Sequence, residues 1–116
     1  MNHLKEYWED EERLIREAVR NQKVKLSQHV DQRMDEREIT EIDLMIVLLT
    51  GRIVEGYDSG TYPNYRNPDP LRIFVGENNG KKIAVGIAIQ NDAYTITTAF
   101  CIGENSRLNR FFNGGQ

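Results

Sequence analysis

A histidine and two arginines recur at four-residue intervals in the first third of the chain. His29, Arg33 and Arg37 would form one row along a helix, because residues four apart lie on the same helical face. These residue types suit metal-free cleavage of RNA, in which a base removes the 2′-hydroxyl proton and cations stabilise the charged phosphorane. An imidazole can act as acid or base near neutral pH, and an arginine can hold a phosphate. We therefore expect any catalytic chemistry to involve this row.

The same row also has a purely structural interpretation. His29 could cap or pack, and both arginines could pair with nearby acids, since ion pairs on helix surfaces are common and weak. The acids within reach along the chain are Asp31, Asp35, Glu36, Glu38 and Glu41. The residue types alone leave both interpretations open.

Further basic and aromatic residues are candidates for binding. Arg72, Lys81 and Lys82 lie at ends of predicted strands and could complete a basic rim around a phosphate. The segment 58–70, DSGTYPNYRNPDP, is rich in turn-forming residues and predicts a long loop. Its side chains could stack on a ligand or clamp the loop onto the sheet. The loop candidates are Tyr62, Tyr65 and Arg66.

No motif for a metal or a nucleotide is present. The chain has two histidines and one cysteine, and neither H-x-x-x-H nor C-x-x-C spacing occurs. A Walker loop and a G-x-S-x-G elbow are also missing. We therefore expect no metal and no other cofactor.

The composition predicts one soluble domain. A chain of 116 residues with 39% apolar and 28% charged residues can bury a single core. No apolar run is long enough to cross a membrane, and the acidic N-terminus lacks the apolar stretch of a secretory signal. The single cysteine, Cys101, cannot form an internal disulfide. We expect a cytoplasmic protein without membrane contact.

The charge is distributed unevenly. A net charge of −3 argues against strong nonspecific binding of nucleic acid. Residues 1–12 contain five acids and one lysine, however, whereas residues 13–37 contain seven basic residues and four acids. The second segment could form a local basic surface or an ordinary solvated one.

The hydrophobic periodicity predicts an α+β protein, with N-terminal helices followed by a four-stranded antiparallel meander. Ser27 is expected to cap the second helix, and Thr40 with Asp43 to open the third. Gly51 is expected to end the third helix as a left-handed C′ residue. The small residues Ala84, Gly86 and Ala88 suggest that the third helix packs on their face. The predicted helices are 4–21, 28–37 and 41–50, and the predicted strands are 23–26, 52–57, 71–75, 81–90 and 93–101.

Three parts of the chain are distinguished by this pattern. Residues 1–22 form an N-terminal amphipathic helix, residues 23–103 a single α+β domain, and residues 104–116 a C-terminal tail. The aromatic pair Phe111 and Phe112 in the tail could cover a core edge or dock on a neighbour.

One ordered set of residues resembles a known family. The pattern S-x-H-x-x-x-R-M-x-x-R-x-I, which runs from Ser27 to Ile39, is similar to the opening signature of the domain-of-unknown-function 4258 family. The similarity continues through Thr40-x-x-Asp43, Gly51, the segment Leu71–Gly76, the strand KKIAVGIAI and Thr98, and it covers about residues 24–101.

This resemblance implies a fold shared with ribonucleases of the RelE, barnase and colicin type, several of whose relatives are regarded as toxins. It implies a sheet that cradles RNA, with His29, Arg33 and Arg37 on the helical side and Arg72 and Thr98 on the sheet as catalytic candidates. The chain departs from the family pattern at two places. Glu38 replaces a glycine, which asks only for an ordinary turn. Thr98-Ala99-Phe100 replaces threonine-x-tyrosine and removes a phenol that could donate a proton.

Two functions follow as expectations. The first is a metal-independent, toxin-like ribonuclease whose partners are RNA and a cognate antitoxin or other protein. The alternative is a catalytically inactive interaction or regulatory module on the same fold, either antitoxin-like or a homodimer formed through residues 4–21. The acidic N-terminus and the missing tyrosine favour the alternative, and the His-Arg-Arg row favours the first.

Overall fold

The three α-helices of the protein cover one face of a five-stranded mixed sheet, as seen in a computed structural model. The structure describes residues 2–58, 69–90 and 93–112, with side chains from Tyr7 onward. The elements in chain order are α1 (Asn2–Arg20), β1 (Val24–Leu26), α2 (Gln28–Met34), α3 (Glu41–Thr50), β2 (Arg52–Tyr57), β3 (Leu71–Asn78), β4 (Lys81–Gln90), β5 (Ala93–Cys101) and the 3-10 helix η1 (Arg107–Phe112).

The sheet has the strand order β1-β5-β4-β3-β2. The pairs β2–β3, β3–β4 and β4–β5 are antiparallel, whereas β1 pairs with β5 in parallel, with Val24 opposite Tyr94. The α+β class is thus confirmed, and the sheet is five-stranded and mixed because β1 joins the antiparallel strands β2–β5 as a parallel neighbour. A parallel neighbour far away in sequence has no turn between the strands, so no local signal marks the pairing.

The main core lies between the helices and one face of the sheet. Alternate residues of a strand point to the same face, so Ile83, Val85 and Ile87 of β4 all lie on this side. They pack with Leu44 and Val47 of α3. The prediction that α3 packs on Ala84, Gly86 and Ala88 was therefore wrong.

The small face of β4 is filled by neighbouring strands and by η1. A Cβ atom at Gly86 would lie 2.5 Å from Cγ2 of Thr98 and 3.3 Å from Cδ1 of Ile73, so the side chains beside Gly86 take its space. Ala84 belongs to a second apolar cluster with Leu108, and Phe111 and Phe112 of η1 pack against that cluster. The aromatic pair of the tail thus covers this face of the sheet.

Helix α1 is tied to the rest of the protein along its length. Ile15 is fully buried in the main core. A carboxylate oxygen of Glu12 accepts the backbone N–H of Ile53 at 2.8 Å, and Arg16 donates to the carbonyl of Gly51 at 2.6 Å. Among the residues described, no helix, α1 included, has the length and apolar character needed to cross a membrane.

Helix α2 ends in a Schellman motif. The N–H of Ile39 donates to the carbonyl of Met34 at 3.0 Å, and the N–H of Glu38 donates to that of Asp35 at 3.3 Å. This closure requires a left-handed residue, and Glu38 has φ of 55°. The expected helix 28–37 is therefore helical to Met34 and then turns, and the expectation of an ordinary turn at Glu38 was wrong.

We expect Glu38→Gly to stabilise the protein. A left-handed conformation costs a residue with a Cβ about 1–2 kcal/mol, and glycine loses about 0.5–1 kcal/mol through its extra entropy when unfolded. The net gain in the free energy of unfolding should be up to about 1 kcal/mol. Urea denaturation measures it.

The matched control is Glu36→Gly, two residues earlier in the same turn. Glu36 is exposed and is not among the positive-φ residues, so glycine there should destabilise by about 0.5–1 kcal/mol. A loss of stability in both variants would contradict strain at Glu38.

Candidate functional site

The local sequence explains how α2 presents its polar residues. The hydroxyl of Ser27 accepts the N–H of Val30 at 3.2 Å and caps the helix, as predicted. Val30 is 2% exposed and Met34 packs against the main core, so these two residues anchor one face of α2. The other residues of α2, at positions 28, 29 and 31–33, are exposed to solvent.

His29 and Arg33 lie on that exposed part of α2, one turn apart. Both side chains are exposed, and neither has a hydrogen-bond or ion-pair partner in the part of the chain that the structure describes. The rise of a helix separates their positions by about 6 Å along its axis. The alternative in which nearby acids neutralise Arg33 is not seen, so an imidazole and a guanidinium stand side by side in solvent.

Arg37 is used differently. Its Nη1 donates to the carbonyl of Ala99 in β5 at 2.6 Å, and Sγ of Cys101 donates weakly to the carbonyl of Arg37 at 3.8 Å. The side chain is half-buried. Arg37 therefore holds the segment that follows α2 against β5.

Arg72 lies on the helical face of β3 and is buried, at 6% exposure. Its guanidinium donates to both carboxylate oxygens of Glu11, at 2.7 and 3.2 Å, and to Asp58 at 3.0 Å. Burial lowers the pKa of Arg72, but the hydrogen bond and charge of Glu11 and then those of Asp58 outweigh it, so its pKa is raised. Arg72 is thus a neutralised cation beneath α1, two strands away from β5.

Thr98 lies on the opposite face of the sheet from the helices. It pairs with Gly86, and the sheet is irregular just before it, where the register shifts between Gly86 and Ile87. Its Cγ2 occupies the space beside Gly86. The structure does not bring Thr98 to the side of the sheet that carries α2.

The candidate lysines have partners inside the protein. Lys81 donates to Asp43 at 2.8 Å and to the carbonyl of Glu38 at 2.9 Å. Lys82 donates to Asn109 at 3.3 Å and stands 5.3 Å from the ring centre of Phe112. The loop candidates Tyr62, Tyr65 and Arg66 lie outside the described residues.

The hydrogen bonds that join Asp43 to Asn78 and Lys81 were not predicted from the sequence. Asp43 is 2% exposed and forms the expected capping box with Thr40, but it also accepts Asn78 at 2.6 Å and Lys81. Burial raises the pKa of this carboxyl, and the bonds from Lys81, Thr40 and Asn78 outweigh that effect, so its pKa lies well below 3.8. The capping pattern marked Asp43, but no local signal marked its partners on the β3–β4 hairpin.

The described residues, 2–58, 69–90 and 93–112, contain no group of three His, Cys, Asp or Glu side chains placed to hold a metal ion. The reactive groups of the candidate site are instead the exposed side chains of His29 and Arg33 on α2. Such a pair can accept a proton and bind an anion at neighbouring positions.

We expect Asp43→Asn to lower the free energy of unfolding at neutral pH by about 2 kcal/mol. Removing one partner of a fully buried pair costs about 3–5 kcal/mol, and Lys81 is partly solvated, which reduces the loss. Glu77→Gln, at an exposed position of β3, should change little.

The same pair of variants gives a pH test. Because folding lowers the pKa of Asp43, its contribution is complete above its ordinary value of 3.8 and is lost as the pH falls below it. The difference between wild type and Asp43→Asn should therefore shrink in acid. A difference that grows below pH 4 would contradict the assignment.

Comparison with known proteins gives one match. A family described as a domain of unknown function (DUF4258) matches residues 26–101, which include α2, α3 and the strands β2–β5. Helix α1 and η1 lie outside the matched segment. Searches of curated proteins and of solved structures found no match.

Proposed function

The chain belongs to the family described as domain of unknown function DUF4258, and we propose that it is a small, metal-independent, toxin-like ribonuclease. The observation that carries the proposal is the pair His29 and Arg33, exposed one turn apart on an anchored helix and without partners among the described residues. The solvated guanidinium of Arg33 is available to a phosphate, whereas Arg72 and Lys81 are already neutralised.

The reaction that fits this pair is attack by the 2′-hydroxyl on the adjacent phosphorus. His29 removes the hydroxyl proton as the oxygen–phosphorus bond forms, and Arg33 stabilises the charge on the non-bridging oxygens. The bond from phosphorus to the 5′ oxygen then breaks, which leaves a 2′,3′-cyclic phosphate and a 5′-hydroxyl. The leaving oxygen takes its proton from solvent, because Phe100 replaces the family's tyrosine.

The other candidates enter the proposal in lesser roles. Arg37 positions α2 through its bond to Ala99. A direct role for Arg72 requires it to leave Glu11 and Asp58, and a role for Thr98 requires RNA to pass around the sheet edge. A relationship to RelE, barnase and colicin-type nucleases forms part of the proposal. It rests on the sequence signature and is compatible with the α+β architecture.

We expect purified protein to cleave RNA in the presence of EDTA and His29→Ala to cleave about 10²–10⁴-fold more slowly, because a positioned acid or base contributes that much. Arg33→Ala should also slow cleavage. Gel electrophoresis of a labelled RNA measures the rate.

The matched control is Gln32→Ala, an exposed position on the same helix. It should cleave at the wild-type rate. Equal activity in His29→Ala and wild type, or no cleavage by either, would show that the proposed chemistry is absent.

A second candidate function is an inactive interaction module that acts through α1. It is favoured by two large apolar residues on the surface of α1, Tyr7 at 60% and Leu14 at 48% exposure. They are seven residues apart and so share one side of the helix. Such a stripe can bind a second copy of the chain, or another protein if the chain is itself antitoxin-like.

If α1 forms a homodimer, Leu14→Arg should convert it to a monomer, because it places a charge in the apolar contact. Light scattering measures the mass. Ile42→Arg is the control, since Ile42 is 68% exposed but lies on α3. A wild-type protein that is already monomeric at high concentration contradicts the dimer.

A further inference from the structure

The positive charges of the protein are not equally available. Of fifteen lysines and arginines, Lys5 and Arg66 lie outside the described side chains. Nine of the remaining thirteen have a partner inside the molecule. Five of these form ion pairs: Arg13, Arg16, Arg72, Lys81 and Arg107. The other four contact carbonyls, an amide or an aromatic ring: Arg37, Arg52, Lys82 and Arg110.

The four other cations are Arg20, Lys23, Lys25 and Arg33. All four side chains are exposed, and none of these side chains has a hydrogen bond, ion pair or ring contact within the part of the chain that the structure describes. They fall within residues 20–33, which contain a single acid, Asp31. Among the side chains that the structure describes, a protein with a net negative charge therefore has its unpaired cations in one short stretch.

The fold places this stretch at one edge of the sheet. Arg20 ends α1, Lys23 and Lys25 belong to or border the edge strand β1, and α2 follows directly. Val24 and Leu26 pack on the helical side, and Lys25 points to the other face of β1, so an RNA strand that contacts both Lys25 and α2 passes around this edge of the sheet. Strand rise separates Lys23 from Lys25 by about 7 Å. We call Arg20, Lys23, Lys25, His29 and Arg33 together the β1 edge.

We propose that the β1 edge is a binding track for an unpaired RNA strand, in which Arg20, Lys23 and Lys25 hold phosphates that flank the one presented to His29 and Arg33. This inference rests on the proposed function, and it adds where and in what form the substrate binds.

The character of the edge favours RNA over a protein partner. Protein interfaces are anchored by buried apolar and aromatic residues, and the large exposed apolar residues of the described chain are Tyr7, Leu14 and Ile42, none of which lies in residues 20–33. Phosphate contacts, in contrast, need only exposed cations.

An unpaired strand suits the edge better than a duplex. Dedicated double-stranded RNA-binding domains span about 16 base pairs and two successive minor grooves, which is longer than a three-residue strand and a seven-residue helix can cover. An unpaired strand can also align its 2′-hydroxyl with the leaving oxygen, as the reaction requires.

The test measures binding of a fluorescent, fully 2′-O-methylated 12-mer, which lacks the attacking hydroxyl and is not cleaved. We expect Lys23→Gln/Lys25→Gln to weaken binding about tenfold or more and to reduce the salt slope by about 1.4, at about 0.7 per phosphate contact for a single strand. The charge-matched control is Arg13→Gln/Arg110→Gln, two exposed residues elsewhere. It should bind within about twofold of wild type.

Three outcomes overturn the track. Equal weakening in both double variants means that only net charge matters. Competition by polyglutamate as strong as that by unlabelled RNA means that the edge recognises acidic chains in general. Tighter binding of a duplex of the same length means that the unpaired strand is the wrong ligand.

Failure of the track and failure of the proposed ribonuclease are distinguishable. Binding that depends on Lys23 and Lys25, with no cleavage of unmodified RNA, supports the track and overturns the ribonuclease. Cleavage that depends on His29, with unchanged binding in Lys23→Gln/Lys25→Gln, supports the ribonuclease and overturns the track.

Discussion

The buried guanidinium of Arg72 is the constraint on which the helical face depends. A charge removed from water must keep its partners, and removing one partner from such a group costs about 3–5 kcal/mol. The partners come from α1, through Glu11, and from the residue after β2, Asp58. Gly56 lies so close that an added Cβ would be 3.1 Å from Arg72 and from Trp8. Helix α1 is thereby fixed on the sheet, and the charge of Arg72 at the centre of that face is compensated by Glu11 and Asp58.

This arrangement moves the available positive charge to the periphery. Acids of α1 and of the strands form ion pairs with Arg16, Arg72 and Arg107, and Asp43 neutralises Lys81. The formal net charge of −3 therefore describes the local field at the β1 edge poorly. Local potentials of several kT can attract a polyanion to a protein whose overall charge has the same sign.

Features set by neighbouring residues could be predicted from the sequence. The bounds of α3 follow from the capping pair Thr40 and Asp43 and from Gly51, although Gly51 is extended, at φ of −84°, and not left-handed as expected. The positions of His29 and Arg33 follow from helical spacing and the Ser27 cap. These signals lie within a few residues of the structure that they specify.

Features set by distant residues could not be predicted. The parallel β1–β5 pair, the ion pair of Arg72 with Glu11 and the partners of Asp43 all join segments far apart in sequence. The small residues of β4 were misleading because their space is filled by neighbours such as Thr98 and Ile73, not by a helix. The part of the candidate site that lies on α2 could thus be predicted from the sequence. The ion pairs across the sheet, which determine which cations remain unpaired, could not.

The parallel pairing of β1 with β5 also fixes an order of events in time. Val24 and Tyr94, which pair, are seventy residues apart, and both Ser27 and Arg37 bind backbone carbonyls of β5. At a synthesis rate of about 5–20 residues per second, β5 is synthesised several seconds after α2. A nascent chain thus carries the His29–Arg33 pair without its support. Any activity that needs α2 docked on the sheet can begin only once the last strand has left the ribosome.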